Sequence, residues 1–244
     1  MKTPRPNLPD LAVAAGVPGA AAPPAAPAPP SRLLLKVCGM RDAAALAAVA
    51  ALGPDFLGFI FAPLSPRFVG TALAPKLVRA LPPSIWRVGV FVNETTDNIL
   101  VTARRFGLGA VQLHGHETPA QCEELSEAGL LVMKAFSVGQ AVDFAALLPF
   151  VPHCDFFLFD TKGAAPGGNG AIFDWRLLSA YNLPVPYFLA GGLGPEHAAE
   201  LAALRLPGLA GLDLNSRFET APGVKDAGRL AQLFTQLRSG APSL

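Results

Sequence analysis

From Leu33 onward the chain alternates short apolar runs with longer stretches in which apolar and polar positions recur at helical spacing. Apolar runs of roughly four to eight residues bounded by turn-formers suit strands buried on both faces, and such strands alternating with amphipathic helices predict a parallel sheet with helical crossovers. The strand candidates are 33–37, 56–61, 86–92, 110–113, 130–135, 156–159, 186–189 and 211–214. The helices expected after them cover 41–52, 74–81, 96–106, 119–128, 142–150, 175–181, 196–203 and 225–237. Asp42, Thr95 and Thr118 supply capping oxygens near three helix starts, and Pro119 suits a first helical turn. Periodicity alone does not separate an open doubly wound sheet from a closed one. The count of eight favours closure, which removes both sheet edges, so the expected fold is α/β, a single (β/α)8 TIM barrel over residues 33–240.

The first 32 residues break this pattern. Pro23-Pro24-Ala25-Ala26-Pro27-Ala28-Pro29-Pro30 cannot supply a packed helix or strand, and the segment reads as a disordered Pro/Ala-rich tail. A secretory signal needs a continuous apolar centre, and a transit peptide needs more than Arg5, Arg32 and the single serine Ser31. The charge of +1, from 19 basic and 18 acidic residues spread along the chain, leaves no footprint for a polyanion, so nucleic acid is not an expected partner. No apolar run approaches the roughly 20 residues that span a bilayer. Cys38, Cys122 and Cys154 lack zinc spacing and are too few for a disulfide framework, which fits a reducing, cytoplasmic setting. His116, His153 and His197 show no metal-ligand spacing either, and no metal site is expected.

In such barrels the loops that follow the strands build the active site. Strand one runs into Lys36-Val37-Cys38-Gly39-Met40, and strand two leads to Ser65-Pro66-Arg67. Strand three carries Val88-Gly89-Val90-Phe91-Val92-Asn93, strand four ends in Val111-Gln112-Leu113-His114-Gly115, and strand six in Phe159-Asp160-Thr161. Then come Pro166-Gly167-Gly168-Asn169-Gly170 with Phe173-Asp174-Trp175, Ala190-Gly191-Gly192-Leu193, Asp213-Leu214-Asn215-Ser216-Arg217-Phe218-Glu219 and Pro222-Gly223-Val224-Lys225-Asp226. An isolated cysteine is more often a small buried hydrophobe than a reactive group, and Cys122 and Cys154 keep that reading. Asp160, at a strand end before a glycine-rich loop, is a position where function outweighs packing, while Cys38 taken by itself keeps the packing reading.

Taken in order, these runs resemble the phosphoribosylanthranilate isomerase family from Leu33 to about Leu237. Each fragment alone is weak; their order and their places after successive strands make the match specific. The resemblance implies a (β/α)8 barrel and an Amadori rearrangement in tryptophan biosynthesis, which converts N-(5-phospho-β-D-ribosyl)anthranilate to 1-(2-carboxyphenylamino)-1-deoxy-D-ribulose 5-phosphate. It implies a small phosphorylated substrate as partner, with no cofactor and no metal. Cys38 matches the family's general base, Asp160 its general acid and Arg67 the arginine that holds the anthranilate carboxylate. His114 is a candidate pocket residue, and Gly168, Gly191, Gly192 and Ser216 are candidates for the phosphate site.

Both proposed acid–base groups need tuning. A free thiol of pKa about 8.5 is only a few per cent thiolate at neutral pH, so a base role calls for a nearby cation. Lys36, two residues earlier on the same strand face, is the expected one. Asp160 must conversely be kept protonated. Two departures from the family stand out. Asn215-Ser216-Arg217 replaces a usual Ser-Ser-Gly, so that Arg217 either adds an anion contact or disturbs a backbone angle suited to glycine. His197 replaces a frequent asparagine. The rivals are the histidine-pathway aminoaldose isomerase, which is expected to use two aspartates, indole-glycerol-phosphate synthase, whose lysine and glutamate find no place here, and a non-catalytic barrel that binds a phosphate ligand.

Overall fold

The computed structural model describes residues 32–161 and 173–239. The tail expected at residues 1–31 and the loop carrying Gly167, Gly168 and Gly170 lie outside the described residues. Eight parallel strands follow in chain order: β1 Leu34–Val37, β2 Phe56–Ile60, β3 Trp86–Phe91, β4 Ala110–Leu113, β5 Leu131–Val138, β6 Phe156–Thr161, β7 Tyr187–Leu189 and β8 Leu209–Leu214. Each pairs with the next, and β8 returns to β1, with Leu34 opposite Gly211, Lys36 opposite Asp213 and Val37 opposite Leu214. The sheet is a closed (β/α)8 barrel, as its eight runs predicted.

Alternation along each strand divides the core in two. Leu34, Phe56, Val88, Ala110, Met133, Phe156, Leu158 and Phe188 form the cluster inside the barrel, while Leu35, Val37, Leu57, Phe59, Val111, Val132 and Phe157 belong to the layer packed under the helices. Phe56, Phe156 and Phe188, from the starts of β2, β6 and β7, meet edge to face with centroids 5.2–6.1 Å apart. This aromatic plug closes the bottom of the barrel, and polar chemistry is left to the opposite mouth. At the same lower end Asp55 accepts the backbone N–H of Leu35 at 2.8 Å, and Asp155 that of Val132 at 2.9 Å.

The crossovers are α1 Ala43–Ala50, α2 Pro75–Arg79, α3 Thr96–Phe106, α4 Pro119–Glu127, α5 Ala198–Ala203 and α6 Ala227–Ser239. Asp42, Thr95 and Thr118 accept the backbone N–H groups of Ala45, Asn98 and Gln121, so the three expected N-caps form. Two expected helices are instead 3-10 turns, Ala145–Phe150 and Trp175–Ala180. Pro149 lies inside the first and lacks the N–H that a full α-helical turn needs. In the second, Asp174 takes the N–H of Arg176 and tightens the start. After β8 the chain adds a feature that the apolar pattern does not announce. A 3-10 turn, Ser216–Phe218, runs into an antiparallel hairpin of β9 Glu219–Ala221 and β10 Val224–Lys225. Among the described residues no helix is long and apolar enough to cross a membrane.

The turn that leaves β4 is pinned by a buried cation. Lys134 Nζ donates to the carbonyls of Leu113, Gly115 and Ala135 and lies 3.1 Å from Glu117 Oε2, while Glu117 accepts the backbone N–H groups of Asn93 and Gly115. Burial pushes the Glu117 carboxyl up, but Lys134 and these N–H donors outweigh it and hold the group below the usual carboxylate range. A carboxyl depressed in the folded state stabilises it above the unfolded pKa, and that contribution is lost as pH falls through the folded value. Lys134→Met, which strands Glu117, is expected to cost about 3–5 kcal/mol at neutral pH and to narrow its deficit against wild type as pH falls, because the Glu117 carboxyl is no longer held below its unfolded value. Urea midpoints measured across pH check this; an unchanged midpoint at pH 7 refutes the clamp.

Candidate active site

Apart from Gly168, which lies outside the described residues, the groups singled out in the sequence lie at the C-terminal mouth of the barrel. Cys38 follows the last residue of β1, donates its backbone N–H to Leu214 O at 2.9 Å, and is 3% exposed. Its thiol fits because β2 carries Gly58 beside it, where a Cβ would stand 2.7 Å from Sγ. Gly39 turns the chain away at φ +79, and a Cβ there would meet Arg67 Cδ and Asn215 Oδ1 at 2.8 Å each. Three loops therefore close on the residue next to the thiol.

Lys36 points into the barrel two residues before Cys38, and its ammonium is 2.8 Å from Asp213 Oδ1 in a fully enclosed pair. Burial works against both charges. For Lys36 the attraction of Asp213 and Cys38 prevails and the ammonium is held above the ordinary lysine value. For Asp213 burial prevails over the pull of Lys36, with Asp160 adding repulsion, and the carboxyl is pushed up. Burial likewise pushes the Cys38 thiol above its ordinary value; Lys36 pulls it down, Asp213 pushes it up again, and Lys225 pulls it down. Lys36, the cation expected beside the thiol, is the strongest attraction on it. Lys36 does face Cys38, but the carboxylate paired with it opposes its effect.

Asp160, near the end of β6, is 30% exposed, and its Oδ2 lies 3.3 Å from His114 Nε2. His114 Nδ1 is in turn 2.9 Å from the amide nitrogen of Gln112 on β4. This contact fixes the ring so that Nε2 faces the Asp160 carboxyl. His114 thus stands beside the acid candidate. Gly191, at φ +83, packs where a Cβ would come within 2.7 Å of Asp160 Oδ1; Gly192 follows at φ +70.

Arg67 is nearly buried and is gripped side-on by Glu219: Nε lies 2.9 and 3.0 Å from the two carboxylate oxygens, and Nη2 2.8 Å from Oε2. Lys225 Nζ reaches the same carboxylate at 2.6 Å and also donates to Asn215 O and Oδ1 at 3.2 and 2.7 Å. Burial pushes Glu219 up, but the two cations hold it below the usual carboxylate range. Ser216 begins the turn after β8, half-buried. Arg217 follows, with Nη1 3.9 Å from Glu196 Oε1 on the loop after β7. Among the described residues Asn93 is the only non-glycine at positive φ, so Arg217 occupies an ordinary backbone angle and its replacement of glycine brings no strain. His197 Nδ1 accepts the backbone N–H of Gly194 at 3.1 Å and serves the same loop.

Asp213, Glu219, Lys225 and Gln112 were present in the sequence motifs without an assigned role. The available signal was chemical: a charge or amide set within an apolar strand, or between a proline-glycine turn and a helix, needs a buried partner.

A family model described as N-(5'phosphoribosyl)anthranilate (PRA) isomerase matches residues 35–236. The N-(5'-phosphoribosyl)anthranilate isomerase of Phocaeicola vulgatus is 44% identical over 206 residues, covering 84% of this chain and 98% of that protein. The crystal structure of phosphoribosyl anthranilate isomerase from Thermotoga maritima superposes with a TM-score of 0.76 at 33% identity, over 85% of this chain and 99% of that one. A phosphoribosyl anthranilate isomerase in complex with reduced 1-(o-carboxyphenylamino)-1-deoxyribulose 5-phosphate superposes at 0.73 with 31% identity, again over 85% and 99%. Barrel, motif order and near-complete coverage of these relatives agree, and the chain belongs to the N-(5'-phosphoribosyl)anthranilate isomerase family.

Proposed function

We propose that this chain catalyses the isomerisation of N-(5'-phosphoribosyl)anthranilate to 1-(2-carboxyphenylamino)-1-deoxyribulose 5-phosphate, with Cys38 as general base and Asp160 as general acid. The observation that carries the reading is the placement of a buried thiol at the end of β1 and a half-exposed carboxyl near the end of β6, both within electrostatic reach of Asp213 at one barrel mouth.

Asp160 gives its proton to the ring oxygen as the C1–O bond breaks, which leaves a Schiff base between C1 and the anthranilate nitrogen. The Cys38 thiolate then takes the C2 proton, and the C–H electrons form the C1–C2 double bond of an enolamine while nitrogen is neutralised. Loss of the C2 hydroxyl proton and protonation of C1 complete the aminoketose. Protons move and no net oxidation occurs, so a positioned acid and base suffice. His114, held by Gln112, presents Nε2 to Asp160 and keeps the carboxyl oriented toward the mouth.

Arg67 is the candidate for the substrate carboxylate. Glu219 occupies the Nε/Nη2 side of its guanidinium, which orients the Nη1/Nη2 edge as a second fork for another carboxylate. The phosphate is assigned to the loops after β7 and β8, where Gly191, Gly192 and Ser216 lie and where Arg217 adds positive charge. Gly168 is retained as a candidate phosphate contact from the sequence alone.

Cys38→Ala and Asp160→Asn are each expected to lower kcat by roughly 10²-fold or more, the scale of a lost acid or base. The fluorescence decay of freshly generated phosphoribosylanthranilate measures it, and near-normal turnover in either variant removes that residue's role. The same assay on Arg67→Ala should show KM rising more than kcat falls; if both stay at wild-type values, the carboxylate contact is wrong.

A further inference from the structure

Two groups of charges flank Cys38, and their sums differ. On one side Lys36 and Asp213 form a one-to-one pair at 2.8 Å, sealed inside the barrel, and together they carry no net charge. On the other side two cations share one carboxylate. Glu219 holds Arg67 side-on and Lys225 at 2.6 Å, so this trio carries a net positive charge. Its ammonium end is aimed at the thiol's own peptide: Lys225 Nζ is 3.5 Å from the point a Cβ would occupy on Gly39, the residue after Cys38. Asn215 O and Oδ1 fix the ammonium there.

We propose that Lys225, carried back to the barrel mouth by the β9–β10 hairpin, is the positioning residue that supplies the net positive charge giving Cys38 its thiolate character. The proposal rests on Cys38 acting as the base. Lys36 is the stronger attraction on the thiol, by charge and by hydrogen bond, but the carboxylate paired with it pushes the other way, and Lys225 adds a further pull from β10. The charged groups that face Cys38 are Lys36 on β1, Asp213 on β8 and Lys225 on β10. Glu219 and Arg67 face Lys225 in turn, and Asp160 and His114 face Asp213. Burial lowers the Lys225 ammonium below the ordinary lysine range while Glu219 and Cys38 oppose that loss. A cation held in this way costs less to keep charged when the thiol beside it is ionised, which is the reciprocal of its effect on the thiol.

The test reads the thiol directly. Full-length protein is alkylated with iodoacetamide across pH, the Cys38 peptide is followed by mass spectrometry apart from those of Cys122 and Cys154, and kcat/KM is measured over the same range. Lys225→Gln is expected to move the Cys38 midpoint up by about one pH unit and to carry the acid limb of kcat/KM with it. Lys225→Arg should return both toward wild type. A hairpin clamp without electrostatic purpose would slow turnover in Lys225→Gln and leave the midpoint in place, which overturns the proposal. Should Lys225→Gln fail to fold, the double variant Lys36→Met/Asp213→Asn decides. Removing the pair deletes the Lys36 attraction together with the Asp213 repulsion, so the Cys38 midpoint should move up by less than a unit, whereas a shift of about one unit or more assigns the thiol to Lys36 and overturns the proposal. Full turnover in Cys38→Ala would remove the base reading itself, and the thiol titration would still report whether Lys225 acts on Cys38.

Discussion

The ion pair between Lys36 and Asp213 spans the seam where the last barrel strand meets the first, and the geometry of the mouth follows from it. A buried ion pair is a poor source of net stability, because the desolvation of both ions offsets their attraction. What it provides is register. A one-residue slip of β8 against β1 would turn Asp213 to the other face of the sheet and leave an ammonium inside the barrel with no counter-ion. In the observed register Val37 faces Leu214, Cys38 bonds to Leu214 O, and Asn215 emerges beside Gly39. The positions of thiol, hairpin and acid loop are consequences of that alignment.

Charge around the mouth is distributed by sharing. One carboxylate, Glu219, orients a guanidinium and an ammonium that would otherwise repel each other at close quarters. One histidine, held by an amide on its own strand, faces the carboxyl of Asp160. One lysine on the outer face of β5 gathers three carbonyls and a carboxylate, and so holds the turn that presents that histidine. Most of these groups are held by neighbours distant in the chain, above an apolar floor.

The barrel itself was legible in the sequence because each strand is buried on both faces, and continuous apolar runs such as Phe156-Phe157-Leu158-Phe159 mark it without help from tertiary context. Asp160 and His114 drew attention by their places at strand ends, whereas the roles proposed for Cys38 and Arg67 came through the family resemblance. Their tuning was not legible. That Lys36 would spend its charge on Asp213 depends on barrel closure across 177 residues, which no local pattern encodes. The hairpin escaped notice because its strands, three and two residues long, are too short for an alternation to register. The 3-10 turn at Ala145–Phe150 shows the opposite kind of limit: the helical periodicity was read correctly, but the backbone chemistry of Pro149 decides which helix can form.

The hairpin has a temporal side as well. Glu219 and Lys225, paired across it, are made after all eight barrel strands, whereas Cys38 directly follows the first. During synthesis, which proceeds from the N-terminus at about 5–20 residues per second, Cys38 therefore spends its early life as an ordinary cysteine with no charged loop beside it. Contacts of such long sequence separation form late because loop closure must precede them. In a nascent or partly folded chain Cys38 thus stands without the charges that surround it in the completed barrel.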